Sequence, residues 1–247
     1  MKILIISSAD PIFLNIARYF ASLLNDSHDV LLVKEKVSNA ALTILKQRIN
    51  RAGLLRGLSQ FLFKVYDLYI LRQKHTRRAA SGLSNYQCDE IHSINSVNSQ
   101  KLIGNYDIAI CLATSIVKEA SLNASRYGLI NVHPGILPNY RGIGNFWAVL
   151  NNDWPNIGCT CHWMTGQIDI GKIISIKKIG PEFETLWDMN ILAMTAGVES
   201  LSDIINSGHL LSTSVSINQS ESKYYSWYGF REYMKFMNSV KLTHKSK

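Results

Sequence analysis

The sequence predicts an α/β fold: a Rossmann-like, doubly wound, mostly parallel sheet with a helical insertion and a short C-terminal appendage. Three observations predict it. The chain opens strand–helix–strand. Short apolar, β-branched runs then keep alternating with segments of helical period. One apolar run ends abruptly in a polar pair, Asn131 and His133, just before Pro134.

Ile3 to Ser7 is the first strand, closed by Ser7-Ser-Ala-Asp-Pro11. Residues 12–24 carry a helical period, and His28 to Val33 is again apolar. The first loop lacks G-x-G-x-x-G, which removes the sequence case for a dinucleotide cofactor. Glu90 to Ile94 and Asp107 to Leu112 read as strands, and Ser115 to Ala124 as a helix. Gly128 to His133 is a strand that Pro134 ends, and Asn145 to Leu150 is helical. Gly158 to Met164 alternates like a strand, with Lys172 to Ile179 as its hairpin partner. Leu186 to Ile205 is a long helix ending near Gly208. This divides the chain into a catalytic domain over 1–208 and a tail over 209–247, with an aromatic cluster at Tyr224–Tyr228 and an amphipathic stretch from Phe230 to Phe236. The apolar tail is a candidate homodimer contact.

Residues 39–80 differ in character. Lys46, Arg48, Arg51, Arg56, Lys64, Arg72, Lys74, Arg77 and Arg78 interleave with leucines and other apolar residues, and Asp67 is the one acid. One or two amphipathic helices broken near Gly53 or Gly57 fit this pattern. The plainest placement packs them on the sheet with a solvated basic face. A lid, a partner helix or a weak membrane-surface association is the alternative.

The 247 residues are 47% hydrophobic, which suffices for one domain with an appendage. Basic residues number 26 against 18 acidic, a net charge of +8 that favours anionic partners without choosing among them. The run Ile3–Ile6 is too short for a signal peptide or a membrane span. Cys159-Thr-Cys161 has neither zinc-ribbon nor redox C-x-x-C spacing, so no metal site is expected. Buried free thiols and a reducing cytoplasm fit the four cysteines.

In open parallel sheets ligands bind beyond the carboxyl ends of the strands. Asn131 and His133, two apart on a strand, point to one face. An amide there can donate to a carbonyl oxygen that gains charge, and an imidazole can carry the proton of an attacking amine. Asp169, in a loop between Gly166 and Gly171, could hold that imidazole or a water. Together the three describe acyl transfer to nitrogen.

The spaced motifs Asn131-Val-His133-Pro-Gly-Ile-Leu-Pro138, Tyr140-Arg141-Gly142, Gly158-Cys-Thr160-Cys-His162 and Asp169-Ile-Gly171 resemble the folate-dependent formyltransferase family. The resemblance covers residues 86–205 and, loosely, 1–35. It implies Asn131, His133 and Asp169 as the catalytic triad and N10-formyltetrahydrofolate as donor, leaving tetrahydrofolate. It places the pterin against Thr114, Ser115, Ile116 and Val117 and against the loop Gly166, Gln167, Ile168 and Asp169. Two departures stand out. Gly135 replaces a frequent serine and should loosen the turn. Ala113-Thr114 replaces a Gly-aromatic pair at the pterin.

The branches of the family differ in their acceptor. Glycinamide ribonucleotide transformylases carry a Gly-rich phosphate loop where this chain has Ser7–Pro11. Methionyl-tRNA formyltransferases carry a C-terminal barrel where this chain has a short tail, so nucleic acid is not the expected partner. The chain looks most like the sugar N-formyltransferases of bacterial surface-polysaccharide pathways, such as lipopolysaccharide O-antigen. The implied acceptor is an amino sugar linked to dTDP or GDP, with Tyr140, Arg141 and Trp147 as its contacts. Glycinamide ribonucleotide, methionyl-tRNA and a non-catalytic folate or nucleotide-sugar binder remain the alternatives.

Overall fold

The computed structural model describes residues 1–36, 46, 49, 50, 52–67, 71, 86–216 and 222–245. The strands β1 (Lys2–Ser8), β2 (Asp29–Glu35), β3 (Asp89–Ile91), β4 (Ile108–Leu112), β5 (Leu129–His133), β7 (Gly158–Trp163) and β8 (Ile173–Lys178) form one sheet in the order β3-β2-β1-β4-β5-β7-β8. The first five are parallel, β7 runs antiparallel to β5, and β8 runs antiparallel to β7. β1, β4 and β5 are almost wholly buried, as their unbroken apolar runs require. The order reverses between β1 and β4, so the carboxyl ends of the central strands open a crevice there.

Helix α1 (Pro11–Leu24) starts with proline in its first turn, and the Asp10 side chain accepts from the Ile12 N–H. Helix α2 (Leu54–Tyr66) follows Gly53, whose φ of 82° is the left-handed backbone that breaks a helix at little cost to glycine. Helices α3 (Val97–Gly104), α4 (Glu119–Leu122) and α5 (Gly144–Leu150) are short. Helix α6 (Leu186–Asn206) is the long one, capped by Thr185, which accepts from the Asp188 N–H. Helix α7 (Phe230–Lys245) closes the described chain. A small second sheet pairs β6 (Arg141–Gly142) with β9 (Tyr224–Tyr225) in parallel.

Two apolar layers result around the sheet. One face packs α1 and α6 over Ile3, Ile5, Ile110, Ile130, Val132, Cys159 and Cys161. The other covers Leu4, Ile6, Ala109 and Cys111. A further core lies beyond the sheet and joins Phe63 of α2, Phe146 of α5, Leu186 and Met189 of α6, and Tyr233 and Phe236 of α7. All four cysteines are free, and Cys111, Cys159 and Cys161 are buried.

Several expectations need correction. Residues 113–118 form an irregular turn rather than a helix, and only Glu119–Leu122 is helical. α3 carries almost no amphipathic signal, burying only Ser99 and Ile103, and is absent from the sequence reading. The stretch from Phe230 continues as a helix to Lys245 and buries Tyr233, Phe236 and Val240 within the chain. Phe230, Met234 and Leu242 of the same stretch remain exposed. Of the 39–80 segment, residues 39–45, 47, 48, 51, 68–70 and 72–80 lie outside the described residues. The described helix α2 packs on α7 rather than on the sheet. No helix among the described residues is long and apolar enough to cross a membrane.

Candidate active site

Strand alternation builds the site. Along β5, Ile130 and Val132 face α6, so Asn131 and His133 face the opposite side. The antiparallel register sets Asn131 opposite His162 and His133 opposite Thr160. Cross-strand partners share a face, so Thr160 and His162 join the polar pair while Cys159 and Cys161 turn to the core. A register shift at Cys161/His162 interrupts the β7–β8 ladder at this point, a place where bulges re-aim side chains. The loop after β7 returns Asp169 over the cluster, with Asp169 at φ 55°.

The contacts are specific. The Asn131 amide nitrogen lies 3.3 Å from His162 Nε2 and 3.4 Å from Asp169 Oδ1. His133 Nδ1 is 3.7 Å from Asp169 Oδ2, and His162 Nε2 is 3.6 Å from Asp169 Oδ1. The Gly142 N–H donates to Asp169 Oδ2 at 2.8 Å. His133, His162 and Asp169 are buried, at 3%, 1% and 8% exposure, so these charges interact with little water between them.

Two backbone carbonyls fix the tautomers. Tyr140 O lies 2.9 Å from His133 Nε2, and Trp163 O lies 3.0 Å from His162 Nδ1. A carbonyl only accepts, so Nε2 of His133 and Nδ1 of His162 carry hydrogen. In neutral His133 the lone pair is then on Nδ1, facing the site. In neutral His162 it is on Nε2, where it accepts from the Asn131 amide.

Electrostatics separates the two groups that face each other. Burial pushes the His133 pKa down, against the pull of the Asp169 charge and the Tyr140 carbonyl. Burial alone would raise Asp169. The His133 charge, the His162 ring close by and the Gly142 amide outweigh it and hold the carboxyl well below the usual carboxylate range. The direction for this coupled pair is a neutral imidazole beside an ionised carboxylate, because Asp169 keeps the Gly142 N–H and the Asn131 amide as donors when His133 is neutral.

Second contacts hold the frame. The Thr160 hydroxyl donates to Gly135 O at 2.7 Å and accepts from the Leu137 N–H at 3.2 Å. Buried Asn145 makes paired bonds to the Gly158 backbone. Buried Glu35 accepts from the Ser115 N–H and hydroxyl and from the Ile94 N–H, and so positions the 113–117 turn.

A cleft of about 250 Å³ joins these parts. Thr114, Ser115, Ile116 and Val117 line one side, and Gly166, Gln167, Ile168 and Asp169 line another. Asn131, His133 and His162 lie at its polar end, with Phe13, Met164 and Met194 as apolar walls. Every expected cofactor-segment residue thus borders the same cleft as the expected triad. A second cavity of about 140 Å³ shares Phe13 and Pro134 with the cleft and adds Gly142, Asn145, Trp187, Asn190, Trp227 and Tyr228.

The three expected acceptor contacts, Tyr140, Arg141 and Trp147, each bond within the chain. The Tyr140 side chain is buried and donates to Asp153 at 2.7 Å, and what reaches the cluster is its backbone carbonyl. Arg141 donates from Nε and Nη2 to Ile168 O at 2.9 and 2.6 Å and from Nη1 to the Ser222 hydroxyl. Its guanidinium therefore braces the loop that carries Asp169. Trp147 donates to Ser226 O and stacks on Tyr225. His162 was visible only as a motif letter, because its role depends on pairing register with Asn131.

Comparison with known proteins agrees with this arrangement. Residues 95–182 match the family described as Formyl transferase. A methionyl-tRNA formyltransferase of Parabacteroides distasonis is 41% identical over 69 residues, which are 28% of this chain and 21% of that protein. The chain therefore covers well under two thirds of that curated relative. A sugar N-formyltransferase from Shewanella sp FDAARGOS_354 superposes with a TM-score of 0.59 at 17% identity, over 97% of this chain and 87% of the other. An N-formyltransferase from Helicobacter canadensis, solved with folinic acid and dTDP-3-aminofucose, gives 0.55 at 18%, over 92% and 71%. Glycinamide ribonucleotide transformylase 1 from Symbiobacterium toebii gives 0.52 at 15%, over 84% and 88%. At these identities the likeness to the solved structures is one of fold. Residues 95–182 are thus similar to the formyl transferase family, and the fold of those solved formyltransferases extends along nearly the whole chain.

Proposed function

We propose that the protein transfers a formyl group from N10-formyltetrahydrofolate to the amine of a nucleotide-linked amino sugar, a precursor of a bacterial surface polysaccharide. The observation that carries the transfer is the convergence of Asn131, His133 and Asp169 within hydrogen-bonding or near-contact range at the end of one cleft. The cleft suits a flat heteroaromatic ring: apolar Val117, Met164 and Met194 flank it, and two loop segments border it. When bound, the folate supplies a formyl carbon activated by its N10 nitrogen.

The chain's own residues would then act as follows. Asn131 donates its amide N–H to the formyl oxygen as that oxygen gains charge. Its present contacts, at 3.3 and 3.4 Å, are long enough for a shorter bond to an oxyanion to displace them. Neutral His133 receives the proton of the attacking amine on Nδ1, with Nε2–H still held by Tyr140 O. Asp169 stabilises the imidazolium so formed. His133 would then be placed to pass that proton to the nitrogen of the folate that leaves, so no net proton is gained or lost.

The acceptor class rests on the second cavity. It abuts the cluster through Pro134 and Gly142 and is walled by Trp187, Trp227 and Tyr228, with Lys64, Asp67, Asn145 and Asn190 as its polar groups. Aromatic walls interspersed with polar groups suit a sugar ring or base, and the basic balance of the chain suits a diphosphate. The test is incubation with N10-formyltetrahydrofolate and a panel of dTDP- and GDP-linked amino sugars, read by mass spectrometry. One formylated sugar is expected, and Asn131→Ala should lower its rate by about 10²–10³-fold with the thermal midpoint retained. Formylation of glycinamide ribonucleotide or methionyl-tRNA alone would overturn the acceptor and leave the transfer standing. No product with any amine, together with folate binding, would make the protein a non-catalytic binder.

A further inference from the structure

We infer that the outward face of α2, continued onto α7, docks on an anionic lipid surface. The inference rests on this surface alone and is independent of the reaction. α2 is seated on α7 through Gly57, Gln60 and Phe63, its buried residues. The Phe63 ring lies 4.8 Å from Tyr233 and 5.1 Å from Tyr228, and Gln60 donates to the Trp227 carbonyl at 2.7 Å. A helix buried on one side normally presents polar residues on the other. Here the other side carries Leu54, Leu55, Leu58, Leu62 and Val65, exposed by 65%, 84%, 42%, 58% and 37%. At the α-helical turn per residue, these five fall within one arc of about 100°. Phe230, with its ring 5.6 Å from Tyr66, and Met234 one turn further extend the exposed apolar surface onto α7. Single exposed leucines are ordinary, whereas a contiguous stripe marks a surface that meets something.

Charge selects the occupant. Residues 54–66 include Arg56 and Lys64 and no acid. The exposed cations Arg231, Lys235 and Lys241 of α7 stand against the single acid Glu232. An apolar stripe on a helix too short to span, continued onto a helix that exposes Arg231, Lys235 and Lys241, is the pattern of a surface lying among anionic headgroups. A second copy would bring the same cations together, which like-charge repulsion opposes.

The test is flotation of the full chain with vesicles of phosphatidylcholine alone and of phosphatidylcholine with phosphatidylglycerol. Two variants probe the two contributions: Leu54→Gln with Leu55→Gln and Leu62→Gln, and Arg56→Gln with Lys235→Gln. All positions are exposed, and thermal melts check that both variants fold. The wild type should float with the anionic vesicles, and each variant should lower its partitioning by about tenfold or more. Failure of the wild type to bind anionic vesicles overturns the inference. So does a leucine variant that binds as well as the wild type. A wild-type dimer that the leucine variant dissociates, without vesicle binding, would reassign the face to self-contact and equally overturn it.

Discussion

A side chain at Gly135 would strike the hydrogen bond that orients the catalytic imidazole. A Cβ built there would lie 2.5 Å from Tyr140 O and 2.7 Å from His133 Nε2, the two atoms of that 2.9 Å bond. The glycine therefore does not loosen the turn, as expected from its replacing a serine; it lets the turn close on His133. Gly135→Ser should destabilise the protein by about 1–3 kcal/mol through overpacking and lower the turnover rate by about tenfold, checked by thermal melts and single-turnover kinetics. A variant unchanged in both would mean the turn re-forms around the hydroxymethyl group. His133 itself makes a prediction in pH. Burial places its midpoint below the ordinary 6.5. The unfolded chain then takes up this proton before the folded one, so stability falls as pH drops from 6.5 toward the folded midpoint. ¹⁵N NMR of the imidazole should show a midpoint below 6.5. A midpoint above it would mean that Asp169 outweighs burial and that the resting imidazole is an acid rather than a base.

At the scale of elements, the two-residue strand β6 couples the C-terminal segment to the site. One edge pairs with β9, the Gly142 N–H holds Asp169, and the Arg141 fork holds the carbonyl just before Asp169. Arg141→Ala should therefore lower kcat by about tenfold with little change in the acceptor KM, since a positioning contact is lost. A raised acceptor KM with unchanged kcat would restore Arg141 to direct substrate contact. Arg141→Lys should recover little, because an ammonium cannot reproduce the two-donor fork. The sheet was legible in the sequence because buried parallel strands are unbroken apolar runs, as in Ile3–Ile6 and Ile108–Leu112. Asn131 and His133 were legible because they interrupt an apolar strand, and Asp169 only in combination with them, through spaced motifs that resemble a known family. What they touch was not. His162 needed the β5–β7 register, and Arg141 and Trp147 needed β9, more than eighty and seventy residues away in sequence respectively. The period of α2 announced a helix with an apolar stripe, but periodicity alone does not say that Phe63 turns inward and Leu55 outward.

At the scale of the whole molecule, the question is whether residues beyond 208 are an appendage or part of one cooperative unit. Phe236 is fully buried, its ring parallel to Phe146 at 5.2 Å, and Phe146 stacks in turn on Tyr228 at 3.6 Å. Phe146 belongs to α5, whose first residue, Gly144, packs so closely on Gly135 that a Cβ there would lie 2.9 Å from the Gly135 Cα. A path of direct packing thus runs from α7 through α5 to the turn that holds His133. Phe236→Ala should cost about 3–5 kcal/mol by opening a cavity in this core, which lowers Tm by about 10 °C in a chain of this size. Because the C-terminal core shares α5 and α6 with the sheet domain, unfolding should remain a single transition, and loss of activity on heating should follow it. Calorimetry and residual activity measured over the same temperatures check this. An early transition that spares the sheet, with activity surviving it, would show that residues 209–247 are an independent appendage. One coincident transition would make the C-terminal helix part of the frame that holds the site.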